Sequence, residues 1–124
     1  MLRGIRGAIS VDQNTREDIL DQTEVLLREM HHRNDLDLTR IASVLFSLTA
    51  DLNAEFPAVA ARQMGWTNIP LMCFKEIEVP GSLPRCIRVL IHYNAEDNDV
   101  LNPVYMGEAL HLRKDLLSDA GVSG

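Results

Sequence analysis

Cysteine, lysine and long apolar runs are all scarce in this chain of 124 residues. The two cysteines, Cys73 and Cys86, form no CxxC pair and have no histidine at zinc-ligand spacing, so they read as buried thiols in a reducing cytoplasm. His31, His32, His92 and His111 are scattered without metal-ligand spacing, so neither a metal nor a cofactor is expected. No stretch approaches the roughly 18 apolar residues of a membrane span. Arg3 and Arg6 are followed by no apolar signal core, so a cytoplasmic protein is expected. Positive charge is also short: 12 basic residues against 18 acidic ones leave a net charge of −6. Binding to nucleic acid or an anionic membrane needs a basic footprint that this balance does not provide. Missing too are a GxSxG elbow, a phosphate-binding glycine loop and any visible Cys–His or Ser–His pairing.

What is present is the composition of a folded domain, 46% apolar and 24% charged. The length fits one domain, expected over residues 1–117, with a frayed tail over 118–124. Leu2–Val11 reads as a strand, with Ile5, Ile9 and Val11 on one face and Gly4, Arg6, Ala8 and Ser10 on the other. Asn14 or Thr15 caps a helix whose stripe of Ile19, Leu20, Thr23, Leu26, Leu27 and Met30 ends at Asn34. Ile41–Thr49 alternates as a second strand. Pro57 opens a short helix to about Met64, ended by Gly65. Ile69–Val79 is expected to be a third strand, and Pro80-Gly81-Ser82 a turn. Arg85–Tyr93 follows as a fourth strand antiparallel to the third, then an acidic loop Asn94–Asn102 and a last strand Val104–Arg113. The order β-α-β-α-β-β-β implies an α+β fold, a mixed sheet with helices on one face. The other face is left uncovered, and oligomerisation is the economical way to cover it.

Ten of the 12 basic residues are arginine, only Lys75 and Lys114 being lysine. Genome bias is one explanation. The other is that several guanidinium forks are aimed at carboxylates, which arginine grips with two parallel bonds. Arg88 lies inside the apolar run CIRVLI, where an unpaired charge costs several kcal/mol by order of magnitude. Either an internal acid or a subunit contact pairs it, or an anionic ligand takes that acid's place. Arg6 repeats the situation between the small residues Gly4 and Ala8. Glu76 is a possible structural partner for Arg88, or an acceptor for a substrate hydroxyl. Cys73, three residues earlier, falls on the opposite face of an ideal strand, so the two share a site only through a bulge, a backbone contact or a subunit boundary. Tyr105 is expected to share a face with Gly107, Ala109 and Arg113, with room for its hydroxyl to reach a polar ligand group. Cations with one carboxylate, and neither nucleophile nor metal, suit binding of a small polycarboxylate or a reaction that needs only conformational restraint and electrostatic help. Gly4-Ile5-Arg6-Gly7 has the spacing of the GxxG loop of RNA-binding KH domains, but it lies in a strand with no helix before it.

The segments RGIRGAISV, TADLNAEFPAVAARQMGW, IPLMCFKEIEVPGSLPRCIRVLIHYN and VYMGEALHLRKDL, in that order, closely resemble the monofunctional AroH-class chorismate mutases over about residues 2 to 117. The resemblance implies a homotrimer with a pseudo-α/β-barrel look and active sites in clefts between adjacent subunits. It also implies the Claisen rearrangement of chorismate to prephenate without metal, cofactor or covalent intermediate. On the matching positions, Arg88 is implied to lie beside the breaking ether bond, and Arg6 and Tyr105 to bind substrate carboxylate. Glu76 is implied to accept the ring hydroxyl, with Cys73 near the same hydroxyl. Phe56, Ala58, Leu71, Met72, Phe74, Lys75 and Leu112 fall at substrate-binding positions of the wall, and Arg62 and Arg113 at peripheral cations. Val59 stands where a well-known member carries lysine, and Met72 replaces a small polar wall residue. Two other classes compete. One is a trimeric enamine/imine deaminase of related architecture, to whose arginine–cysteine segment PRCIRV is faintly similar. The other is a non-catalytic subunit that binds an aromatic acid.

Overall fold

A computed structural model describes residues 1–113 of the chain. Residues 114–117 of the expected domain and the expected tail over 118–124 lie outside the described residues. The strands are β1 (Leu2–Ser10), β2 (Ile41–Leu48), β3 (Leu71–Lys75), β4 (Cys86–Asn94) and β5 (Val104–Met106), and the helices are α1 (Arg16–Asn34) and α2 (Ala58–Gln63). Short 3-10 turns occupy Leu38–Arg40 and Gly107–Arg113. Among the described residues no helix is long and apolar enough to cross a membrane.

The five strands form one sheet in the order β3-β2-β4-β1-β5. β4 runs antiparallel to both β1 and β2, while the two edge strands pair in parallel, β3 with β2 and β5 with β1. The expected α+β order is observed, with three differences. β4 does run opposite to β3 but is not beside it, because β2 lies between them. β3 is five residues long rather than eleven. Its only partner among the described residues, β2, ends at Leu48, so after Glu76 N–H donates to Leu48 C=O at 2.8 Å there is no further ladder among them to join. The last strand stops at Met106, because Gly107 takes φ 60° and turns the chain, and Ser10 Oγ accepts the freed N–H of Glu108 at 2.9 Å.

Local chemistry accounts for the helices. Thr15 caps α1, its hydroxyl accepting from Asp18 N–H at 3.1 Å, and Asp35 closes the helix in the left-handed region at φ 47°. Asn34 is buried and fully used. Its amide donates to Met30 C=O and Asn102 C=O and accepts from Asn102 N–H at 2.6 Å, which ties the 95–103 loop to the helix end. The core lies between the helices and one sheet face, where Ile5, Ile9, Val44, Phe46, Val89 and Ile91 meet Ile19, Leu26, Leu27 and Met30. Gly7 sits on this face of β1, and a Cβ there would run into Met30 Sδ. The opposite sheet face carries no helix among the described residues. It exposes Met72 and Phe74, with Leu45 and Leu90 half-buried beside them.

Candidate active site

The strand registers place five residues of the open face in one line across the sheet. Phe74 pairs with Ser47, Ser47 with Arg88, Arg88 with Ala8, and Ala8 with Tyr105. The neighbouring line runs Met72, Leu45, Leu90, Arg6. Alternation along each strand therefore sends Arg6 and Arg88 to the same side, away from the helices.

Arg88 Nη1 lies 3.3 Å from Glu76 Oε2, and Ser47 Oγ donates to that same oxygen at 2.5 Å. The internal acid considered for Arg88 is thus present. The pair is nevertheless open to solvent, with side chains 22% and 32% exposed, and it meets the carboxylate through Nη1 at 3.3 Å. The remaining donors of the guanidinium are left for a second anion. Arg6 is exposed, and among the described residues no carboxylate lies within ion-pair distance of it. Arg6, Ser47, Phe74, Glu76, Arg88 and Leu90 line one cleft of about 290 Å³, cationic on one side and apolar beneath.

Two further clefts adjoin this one. Arg6 also lines a cleft of about 250 Å³ with Gly4, Asn102, Pro103 and Tyr105. Phe74 also lines one of about 370 Å³ at the β3 edge, with Phe56, Cys73 and Lys75. The expected set is therefore divided: Arg6, Phe74, Glu76 and Arg88 come together, while Tyr105 stands to one side and Phe56, Cys73 and Lys75 to the other.

Tyr105 requires a correction. Because the strand ends at Met106, it does not share a strand face with Gly107, Ala109 and Arg113; it packs with Ala8, Cys86 and Ala109 through the turn. Its hydroxyl is buried without a hydrogen-bond partner among the described residues, rather than open to a ligand. The wall positions also divide by face. Met72 and Phe74 point to the open side, but Leu71 and Cys73 pack against the helix-side core and Ala58 is buried within it. Cys73 and Glu76 do lie on opposite faces. Burial pushes the Cys73 thiol above its ordinary pKa, partly offset by the Ala58 backbone and Arg62, and burial likewise raises Cys86, offset by Arg88. Arg62 is exposed on α2, and Val59 half-buried beside it. Leu112 and Arg113 end the Gly107–Arg113 turn, and their side chains lie outside the described part.

Sequence reasoning gave Ser47 no role beyond a polar strand position. Its signal was alternation, Ser43 and Ser47 opposite the buried Val44 and Phe46, and only the register shows that Arg88 is its neighbour.

Comparisons with known proteins agree with this geometry. The family model described as chorismate mutase type I matches residues 2–116. A chorismate mutase AroH of Thermus thermophilus is 47% identical over 120 residues, which span 95% of this chain and 98% of that protein. A chorismate mutase AroH of Bacillus subtilis is 39% identical over 118 residues, 94% and 93% of the two chains. A solved chorismate mutase from Clostridium thermocellum superposes with a TM-score of 0.84 at 47% identity, covering 88% of this chain and 98% of that one. With matches of that extent in both sequence and fold, the chain belongs to the type I, AroH-class chorismate mutases.

Proposed function

We propose that this protein rearranges chorismate to prephenate in the cytoplasm, on the route to phenylalanine and tyrosine, as a homotrimer whose sites lie between subunits. The observation that carries the reading is the convergence of Arg6, Arg88 and Glu76 in one open cleft. Chorismate carries two carboxylates, and its enolpyruvyl arm must fold over the ring before bonds reorganise. Fixed guanidinium forks select that conformer, removing the entropy of finding it. As the C–O bond breaks, negative charge grows on the ether oxygen and positive charge on the ring. Arg88 stabilises the first more in the transition state than in the ground state, and that difference accelerates the reaction. Glu76 accepts the ring hydroxyl and favours the positive ring, while Arg6 takes carboxylate, joined by Tyr105 once its buried hydroxyl turns toward the cleft. No step needs a nucleophile or a metal. The deaminase and the non-catalytic readings are set aside by a mutase family match over residues 2–116.

The need for a neighbour is geometric. The line from Phe74 on β3 to Tyr105 on β5 crosses four strand spacings, roughly 19 Å, too far for one small ring to touch both ends. A second copy that brings its β3 edge, with Phe56, Cys73 and Arg62, against Arg6, Arg88 and Tyr105 closes the pocket and covers the apolar open face. Purified protein should deplete the ultraviolet absorbance of chorismate, and light scattering should give about 42 kDa, three times 13.9 kDa. An active monomer at micromolar concentration would sink the shared-cleft arrangement.

A further inference from the structure

We propose that Ser47 is a positioning residue for the rearrangement, holding the Glu76 carboxylate so that one oxygen stays free for substrate and Arg88 keeps donors of its fork for the ether oxygen. This rests on the placement of Glu76 and Arg88 in the site.

Glu76 is fixed from β2 at two points. Its N–H donates to Leu48 C=O at 2.8 Å, and its Oε2 accepts from Ser47 Oγ, one residue earlier on the same strand, at 2.5 Å. Arg88, directly across from Ser47 in the register, reaches the same Oε2 with Nη1 at 3.3 Å. Both neighbours therefore converge on one carboxylate oxygen. Among the described residues nothing donates to Oε1, which leaves it as the acceptor for a substrate hydroxyl.

An arginine beside an unrestrained carboxylate favours the two-bond fork, with both oxygens engaged. That arrangement would use up Oε1 and engage a second nitrogen of the fork in the ground state, so charge developing in the transition state would find fewer free donors. The short Ser47 bond holds the carboxylate rotated away from that fork. Ser47 touches no reacting atom. It acts through Glu76, in the manner of the outer hydrogen bonds that orient the groups of an active site.

Four variants test this, each first shown to have native circular dichroism and assembled mass: Ser47→Ala, Ser47→Thr, Glu76→Gln and the double variant Ser47→Ala/Glu76→Gln. Loss of an orienting partner of this kind costs about 10–100-fold in activity. Ser47→Ala should lower kcat about tenfold or more by that measure, with KM moving much less. Ser47→Thr, which keeps the hydroxyl, should recover most of the loss. In the Glu76→Gln background, Ser47→Ala should cost little more, because the group it positions is already lost. If Ser47→Ala does not assemble, Ser47→Cys, of similar size with a weak donor, takes its place. Wild-type kcat in Ser47→Ala beside an impaired Glu76→Gln overturns the role of Ser47 and leaves the site reading standing. Equal losses in both backgrounds overturn it as well, since Ser47 would then act independently of Glu76. Wild-type kcat in Glu76→Gln overturns the reading of Glu76 itself, and the role of Ser47 with it.

Discussion

Arg88 sits mid-strand in an apolar run, and it is tolerated there because Glu76 offsets its charge at 3.3 Å while a quarter or less of its side chain meets water. Its proposed value to catalysis depends on how it is held. β4 fixes the backbone on both sides, so the fork need not reorganise when charge appears on the ether oxygen. Arg88→Ala should therefore lower kcat by roughly 10²–10³, about 2.7–4 kcal/mol, with a smaller change in KM because Arg6 remains to hold carboxylate. Steady-state kinetics on a variant of confirmed fold and mass checks this, and near-native kcat would make Arg88 a structural residue. At this scale the sequence was informative: a charge inside CIRVLI is an anomaly that calls for an anion, and Arg6 sets a second cation on the same face. Ser47 was not legible, because a serine in a strand is unremarkable until the register sets it opposite an arginine.

Among elements, the 95–103 loop shows how much a few side chains determine. Arg40 clamps it, donating to Asn94 C=O at 2.9 Å and to Asp99 Oδ2 at 2.9 Å, and stacks 5.0 Å over the Tyr93 ring. Asp99 also accepts from Glu96 N–H at 2.7 Å, and Asn34 holds the loop's other end. The Glu96 N–H first, and then Arg40, pull the Asp99 carboxyl below its ordinary 3.8. A folded-state pKa that is depressed gives stability that is complete above the ordinary value and disappears as pH falls through the lower one. Asp99→Asn should thus be less stable than the parent at neutral pH, and the gap should narrow as pH falls below the ordinary carboxylate value. Urea midpoints at fixed protein concentration measure it, and a gap that stays constant with pH would assign the stabilisation elsewhere. Element order was legible because helical stripes and strand alternation are local signals. The ends of β3 and β5 were not: β3 stops where its neighbour β2 ends at Leu48, and β5 stops where Gly107 turns the chain. The dihedral of Gly107 and the receptive Ser10 hydroxyl decide where Tyr105 stands, and neither is visible in a pattern of apolar residues.

For the whole molecule, the sheet is asymmetric: helices cover one side, and arginines, a carboxylate and half-exposed apolar residues occupy the other. The bare side was legible in outline, since two helices cannot cover both faces. The division of the candidate residues among three adjoining clefts was not, because it depends on strand order rather than on strand content. That order has a kinetic consequence. β4 lies at the centre, nine residues long and laddered on both sides, whereas β5 pairs through only three residues at an edge. Central backbone amides exchange with solvent deuterium only when the entire fold opens, and edge amides through local fraying. The amides around Arg88 should accordingly be among the last to exchange, and those around Tyr105 among the first of the strands. Mass-resolved exchange on the assembled protein reads both at once, and comparable protection of the two segments would contradict this ordering. The pocket would then join a stiff half, where charge must not shift as bonds reorganise, to a pliant half that can part to admit chorismate and release prephenate.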